Sequence, residues 1–172
     1  DSLLPACADA LLMPLTLPAR RENPRAYAFS KRVVQRCPAR VADELVALYR
    51  TGAGTCDAAA CLHELIFELH RFEPRALSGV FPLLADELRQ EDDATRLATV
   101  QLLARMFAAA DSALAETYPA VYAAFLARFA DKCDAVRAEM LDFAWHFVAN
   151  SPAARAHDTR LLAEVEGRLH DL

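Results

Sequence analysis

The sequence predicts an all-α fold. Three observations carry this. Alanine, leucine and arginine dominate, and all three are strong helix formers. No run alternates apolar and polar residues with period two between turn signals, and β-branched isoleucine occurs once, at Ile66. Prolines and capping acids cut the chain into short segments with apolar residues at helical spacing. At 172 residues and 55% hydrophobic, the chain is long and apolar enough to bury a core.

The elements follow in order. Residues Pro5 to about Leu15 form a first helix, ended near Pro18. The opening DSLLPACADALLMPL lacks a basic leader and is interrupted by Pro5, Asp9 and Pro14, so it reads as helix rather than secretion signal. Pro24 opens a helix whose stripe is Ala26, Phe29, Val33 and Val34, running to Cys37. Pro38 opens the next, RVADELVALY, and Gly52 and Gly54 mark a turn. Asp57 caps a helix that reaches His70, and Glu73-Pro74 breaks the chain again. A helix from about Arg75 to Gln90 is interrupted or bent near Pro82.

Asp92 or Asp93 caps the next helix, with Leu97, Val100, Leu103, Ala104 and Phe107 on one face. Asp111 caps a segment that breaks at Pro119 and resumes as AVYAAFLARF. After Asp134, the stripe Val136, Met140, Phe143 and Phe147 defines a helix ended by Asn150-Ser151-Pro152. A last helix fills Thr159 to Leu169. This amounts to about ten helices in antiparallel pairs.

The pairs recur. Asp93-Ala-Thr-Arg96 and Asp134-Ala-Val-Arg137 lie 41 residues apart, which aligns Leu97, Val100 and Phe107 with Ala138, Leu141 and Val148. Pro82 and Pro119 are 37 apart, and Ala42-Asp43-Glu44-Leu45 returns as Ala85-Asp86-Glu87-Leu88 at an offset of 43. A period near 40 with two helices per unit is the HEAT-type signature of an α-solenoid. Such a unit cannot bury its apolar face alone, so neighbours stack into one continuous core. The whole chain is expected to be a single such array. Stacking brings Asp93, Arg96, Asp134 and Arg137 into one row, a charged ladder between successive units.

Charge is uneven. Net charge is −5, yet Arg20, Arg21, Arg25, Lys31, Arg32, Arg36 and Arg40 face one acid, Glu22, between positions 20 and 40. A basic face on an acidic chain suits an acidic partner, a polyanion or nucleic acid. The five cysteines, at 7, 37, 56, 61 and 133, form no C-x-x-C pair and read as reduced, mostly buried thiols.

One stretch invites an enzymatic reading. HELIFELH, residues 63–70, resembles the start of the zinc-protease H-E-x-x-H helix, but position 67 is Phe67. His63 and His70 stand roughly 10 Å apart along a helix axis, too far to share a zinc whose ligand bonds are about 2 Å. The core stripe is Leu62, Leu65, Ile66 and Leu69, with Glu64 and Glu68 pointing away. No nucleophile elbow or phosphate loop is present. Trp145 and His146 read as helix packing. No catalytic residue, metal ligand or cofactor is therefore expected.

The ordered run from ELIFELHRFEPRALSGVFPLLADEL (64–88) through Arg96-Leu97, Val100, Leu102-Leu103-Ala104 and Met106-Phe107 carries a family likeness. It continues with Asp111-Ser112-Ala113-Leu114-Ala115, Arg128-Phe129-Ala130-Asp131, Val136-Arg137-Ala138-Glu139, Phe143-Ala144 and Asn150-Ser151-Pro152. This series resembles the sister chromatid cohesion Pds family, the precocious-dissociation-of-sisters regulators of cohesin. The resemblance implies a nuclear, chromatin-associated HEAT-repeat scaffold without catalytic activity, and a segment from the N-terminal part of a much longer solenoid. It implies binding to the cohesin kleisin subunit and work with a Wapl-type release factor and the cohesin acetyltransferase. Some relatives are linked to an inositol polyphosphate, for which the basic segment is the available surface. The competing readings are a HEAT adaptor with other protein partners and a nucleic-acid-binding helical module.

Overall fold

The computed structural model describes residues 10–51, 58–109, 112–150 and 159–169. Among these residues every regular element is helical, and no helix is long and apolar enough to cross a membrane. The helices are α1 (Leu17–Glu22), α2 (Pro24–Arg36), α3 (Pro38–Thr51), α4 (Ala58–Phe72), α5 (Phe81–Glu87) and α6 (Asp93–Phe107). They continue as α7 (Leu114–Thr117), α8 (Pro119–Leu126), α9 (Asp134–Asn150) and α10 (Thr159–Leu169). Single 3₁₀ turns occupy Met13–Leu15, Pro74–Leu77 and Ala127–Ala130. The chain forms two compact units, divided between Phe81 and Pro82. The expected turn at Gly52 and Gly54, the caps at Asp57 and Asp111, and the start at Pro5 lie outside the described residues.

In the first unit, prolines open helices because a first-turn residue has no intrahelical partner for its N–H. Pro24 begins α2, whose N-cap Asn23 accepts from the Ala26 N–H at 3.0 Å. Pro38 begins α3 directly after Cys37, whose N–H closes α2 on the Val33 and Val34 carbonyls. The same rule corrects one expectation and decides between the two alternatives of another. Pro18 does not end a helix but lies in the first turn of α1; the break falls at extended Thr16, whose hydroxyl bonds the Met13 carbonyl at 2.9 Å. The stretch from Arg75 to Gln90 is interrupted rather than bent: Pro82 lies in the first turn of α5, after the 3₁₀ turn at Pro74–Leu77.

Val34, Leu45, Ile66, Leu69 and Leu77 are fully buried and form the centre of this unit, with α3 and α4 both packed on the Pro74–Leu77 turn. Phe29 leaves the predicted stripe. It is 60% exposed, and α2 turns Ser30 and Val34 inward instead. Cys37 is likewise exposed rather than buried, because it is the linker residue between α2 and α3. Gly79 sits against α3: a Cβ there would lie 2.8 Å from Val46 Cγ2. Valine cannot swing its branched side chain aside freely. Gly79→Ala is therefore expected to lower stability by about 1–3 kcal/mol, read as a fall in thermal midpoint.

In the second unit Asp92 caps α6, accepting from the Thr95 N–H at 2.7 Å and its hydroxyl at 2.6 Å. Contacts from α6 and its leading turn to α9 and its leading turn climb both segments together. Glu91 meets Lys132 at 2.9 Å and Gln101 meets Glu139 at 3.2 Å, while the Arg96 side chain reaches back to Asp131. Partner numbers that rise together mean parallel helices lying side by side, as equivalent helices of successive repeats do. Between them α8 supplies the aromatic core. Phe107 lies 4.9 Å from Tyr122 and 5.1 Å from Phe125, measured between ring centroids, and Phe125 meets Phe143 edge-on at 4.9 Å.

The inner face of α9 is Val136, Met140, Phe143 and Phe147, as the periodicity predicts. The 41-residue alignment misleads about the other face. Val100 is fully buried, but its aligned partner Leu141 is 54% exposed, and Trp145, read as packing, is 72% exposed. The reason is position in the stack: α6 has α9 beside it, and the matching side of α9 is open among the described residues.

Candidate functional site: charged junctions and open faces

Helix α6 begins with Asp93-Ala-Thr-Arg96, which sends the Arg96 side chain back over the first turn and into the loop before α9. Its guanidinium donates to both carboxylate oxygens of Asp131, Nε to Oδ2 at 2.9 Å and Nη2 to Oδ1 at 2.8 Å. It also donates to Asp93 at 2.5 Å and to the Gln90 and Glu91 carbonyls at 2.8 and 2.9 Å. Asp131 further accepts from Arg128 Nη1 and the Cys133 N–H, both at 2.9 Å. The Arg96 side chain is 2% exposed. This fork-to-fork geometry is the strongest arrangement for a guanidinium and a carboxylate. The hydrogen bonds from Arg96 outweigh burial and hold Asp131 at a pKa of about 2; the same bonds push the Arg96 pKa up.

Arg137 repeats part of this at the start of α9. It donates to the Asp134 carboxylate and, at 2.6 Å, to the Asp131 carbonyl six residues back. Arg96 and Arg137 thus meet at Asp131, one through the carboxylate and one through the backbone. Asp93 and Asp134 each serve the arginine of their own helix. Asp131, which joins the two, was not singled out as a site from the sequence. The 41-residue offset places it opposite Gln90, so no repeated acid marked it.

Glu68 corrects the reading of HELIFELH. It points inward and is buried, accepting from Tyr27 Oη at 2.5 Å, Arg20 Nη1 at 3.2 Å and Arg71 Nη1 at 3.1 Å. A carboxylate this deep requires such donors. Burial first, and then the bond to Glu68, raise the Tyr27 pKa. His70 is half-buried, and burial lowers its pKa. Among the described residues no three His, Cys, Asp or Glu side chains are grouped as for a metal ion.

The basic segment divides. Arg20 is tied to Glu68 and lies 4.8 Å over the Tyr27 ring, and Lys31 lies 5.0 Å over Phe72. Arg32 turns its Nε to the Ala28 carbonyl at 3.3 Å and is exposed. Arg21, Arg25 and Arg36 are exposed as well.

Packed helix pairs, repeat-matched parallel helices and a buried arginine–aspartate junction define a HEAT-like helical-repeat protein, a class whose working parts are its surfaces. The particular family follows from comparison with known proteins. The model of the sister chromatid cohesion protein PDS5 family matches residues 1–172, and the chain belongs to that family. It is similar to sister chromatid cohesion protein PDS5 homolog A of Gallus gallus, 30% identical over 159 residues. It is equally similar to PDS5 homolog B-A of Xenopus laevis and PDS5 homolog A of Homo sapiens, each 30% identical over 159 residues. These matches cover 88% of this chain and only 11–12% of the relatives, so it spans a small part of their length.

Proposed function

We propose that this chain is part of a non-enzymatic, cohesin-associated scaffold that binds the kleisin subunit and helps control sister chromatid cohesion and cohesin release. The observation that carries the proposal is the family match across all 172 residues. The physical setting supports it. A helical array offers several partners a surface at once without any catalytic group. A Wapl-type release factor and the cohesin acetyltransferase are the further partners in this reading, and chromatin in the nucleus is its location. The exposed cations Arg21, Arg25, Arg32 and Arg36 are the surface for an acidic partner segment or a polyanion such as an inositol polyphosphate.

The test is binding of kleisin fragments to the purified chain, alongside a variant with Arg25, Arg32 and Arg36 reversed to glutamate. Saturable binding weakened by the reversal supports the reading. Absence of kleisin binding, with salt-dependent binding to DNA instead, would transfer the surface to nucleic acid.

A further inference from the structure

Helices α2 and α4 meet along a seam whose contacts keep one offset. Tyr27 of α2 donates its Oη to Glu68 of α4 at 2.5 Å, 41 residues on. One turn further, Lys31 Nζ lies 5.0 Å over the ring of Phe72, at the same separation in sequence. Arg20 of α1 joins the row. Its guanidinium lies 4.8 Å over the Tyr27 ring, and its Nη1 donates to Glu68 Oε1 at 3.2 Å. Arg71 reaches the other oxygen, Nη1 to Oε2 at 3.1 Å. Glu68 is buried, but the side chains of Arg20 and Arg71 are 41% and 54% exposed. Each arginine spends one Nη on Glu68, and among the described residues the Nε and Nη2 of both have no acceptor. Tyr27 remains neutral, since burial and the bond to Glu68 raise its pKa. Three cations, Arg20, Lys31 and Arg71, thus stand against one carboxylate, an excess of two positive charges.

We propose that this seam is a docking site for a partner segment carrying one phosphorylated serine or threonine, its phosphate held between Arg20 and Arg71 with Lys31 as the third cation. Charge sets the ligand class. A phosphomonoester carries about −1.5 to −2 at neutral pH, which matches the excess at the seam. A polyphosphate carries several times that charge and would need cations that the seam lacks. The free edges of two guanidinium forks suit phosphate oxygens. The forks are also held in place before binding, Arg20 by Glu68 and the Tyr27 ring and Arg71 by Glu68, so little side-chain freedom is lost when the ligand arrives. Both arginines are open to solvent, and exposed Gln35 continues the Tyr27–Lys31 row by one turn, so an extended segment bearing the phosphate has polar groups to meet along α2. These residues are distinct from the cations Arg21, Arg25, Arg32 and Arg36, and the inference does not rest on the cohesin reading.

The probe is a short glycine–serine peptide with one central phosphoserine, titrated into the isotope-labelled chain and followed by NMR at the arginine Nε–H, lysine Nζ and glutamine side-chain signals. The expected result is saturable shifts at Arg20, Arg71, Lys31 and Gln35. The same peptide with glutamate in place of phosphoserine should bind at least tenfold more weakly. Arg71→Gln, and separately Lys31→Gln, which leaves the Glu68 bonds intact, should each weaken binding of the phosphopeptide about tenfold. Arg89→Gln removes an equally exposed arginine from the other unit and should leave binding unchanged. No shift at saturating phosphopeptide, equal binding of the glutamate peptide, or full affinity in both Arg71→Gln and Lys31→Gln overturns the proposal. Inorganic phosphate is the remaining arm. If it binds as tightly as the phosphopeptide, the occupant is the free ion and the proposal falls; weaker binding at the same three cations agrees with it.

Discussion

Replacing Asp131 with asparagine is expected to cost about 3–5 kcal/mol, among the largest effects of any single substitution in this chain. The substitution leaves the buried Arg96 guanidinium with the half-exposed Asp93 as its remaining carboxylate, and without the buried, two-pronged one. The penalty is the desolvated cation rather than the lost attraction, so a control separates the two. In Arg96→Met/Asp131→Leu the charge is gone from both sides, and part of the loss should be recovered. Thermal unfolding followed by circular dichroism reads both variants. A double variant as unstable as Asp131→Asn would show that packing, not charge, dominates the site.

The same junction predicts an acid limb. Asp131 has its folded pKa lowered to about 2, from 3.8. A lowered carboxylate pKa stabilises the fold above the unfolded value, and that contribution is lost as pH falls from about 4 towards 2. The amount is roughly 2 kcal/mol. The unfolding midpoint of the wild-type chain should fall across this window, and Asp131→Asn should show a shallower fall.

Phe125→Ala is expected to be comparably damaging, at about 3–5 kcal/mol. Phe125 is fully buried and touches Phe107 of α6, Tyr122 of α8 and Phe143 of α9, so its removal opens a cavity where three helices meet. Phe29→Ala is the matched control. That ring is exposed, and its loss should shift stability by no more than about 0.5 kcal/mol. A small effect at Phe125 would mean that α8 is not the element filling the space between α6 and α9.

How far these features were legible in the sequence differs by kind. Helices with strong punctuation were readable: Pro24, Pro38 and Asp92 open or cap the helices expected of them, and α10 spans the residues predicted. Pro18 was misread, and Pro82 left open between a break and a bend, because a proline marks a boundary without saying on which side the helix lies. The inner stripe of α9 was legible from its 3.6 period. Its exposed outer side was not, because repeat alignment equates positions whose neighbours differ: Val100 and Leu141 share a register but not a covering helix. Glu68 and Asp131 were missed as junction residues for a related reason. Each is buried through donors distant in sequence, 41 and 48 residues away for Glu68 and 35 for Asp131, and local periodicity sees none of them.

The central claim, that this is part of a cohesin-regulating scaffold, is tested most directly by affinity capture from nuclear extract with the intact chain as bait, scored for cohesin subunits. The account predicts recovery of the kleisin with its cohesin partners above a bait-free control. Capture of other proteins with no cohesin subunit among them would contradict it.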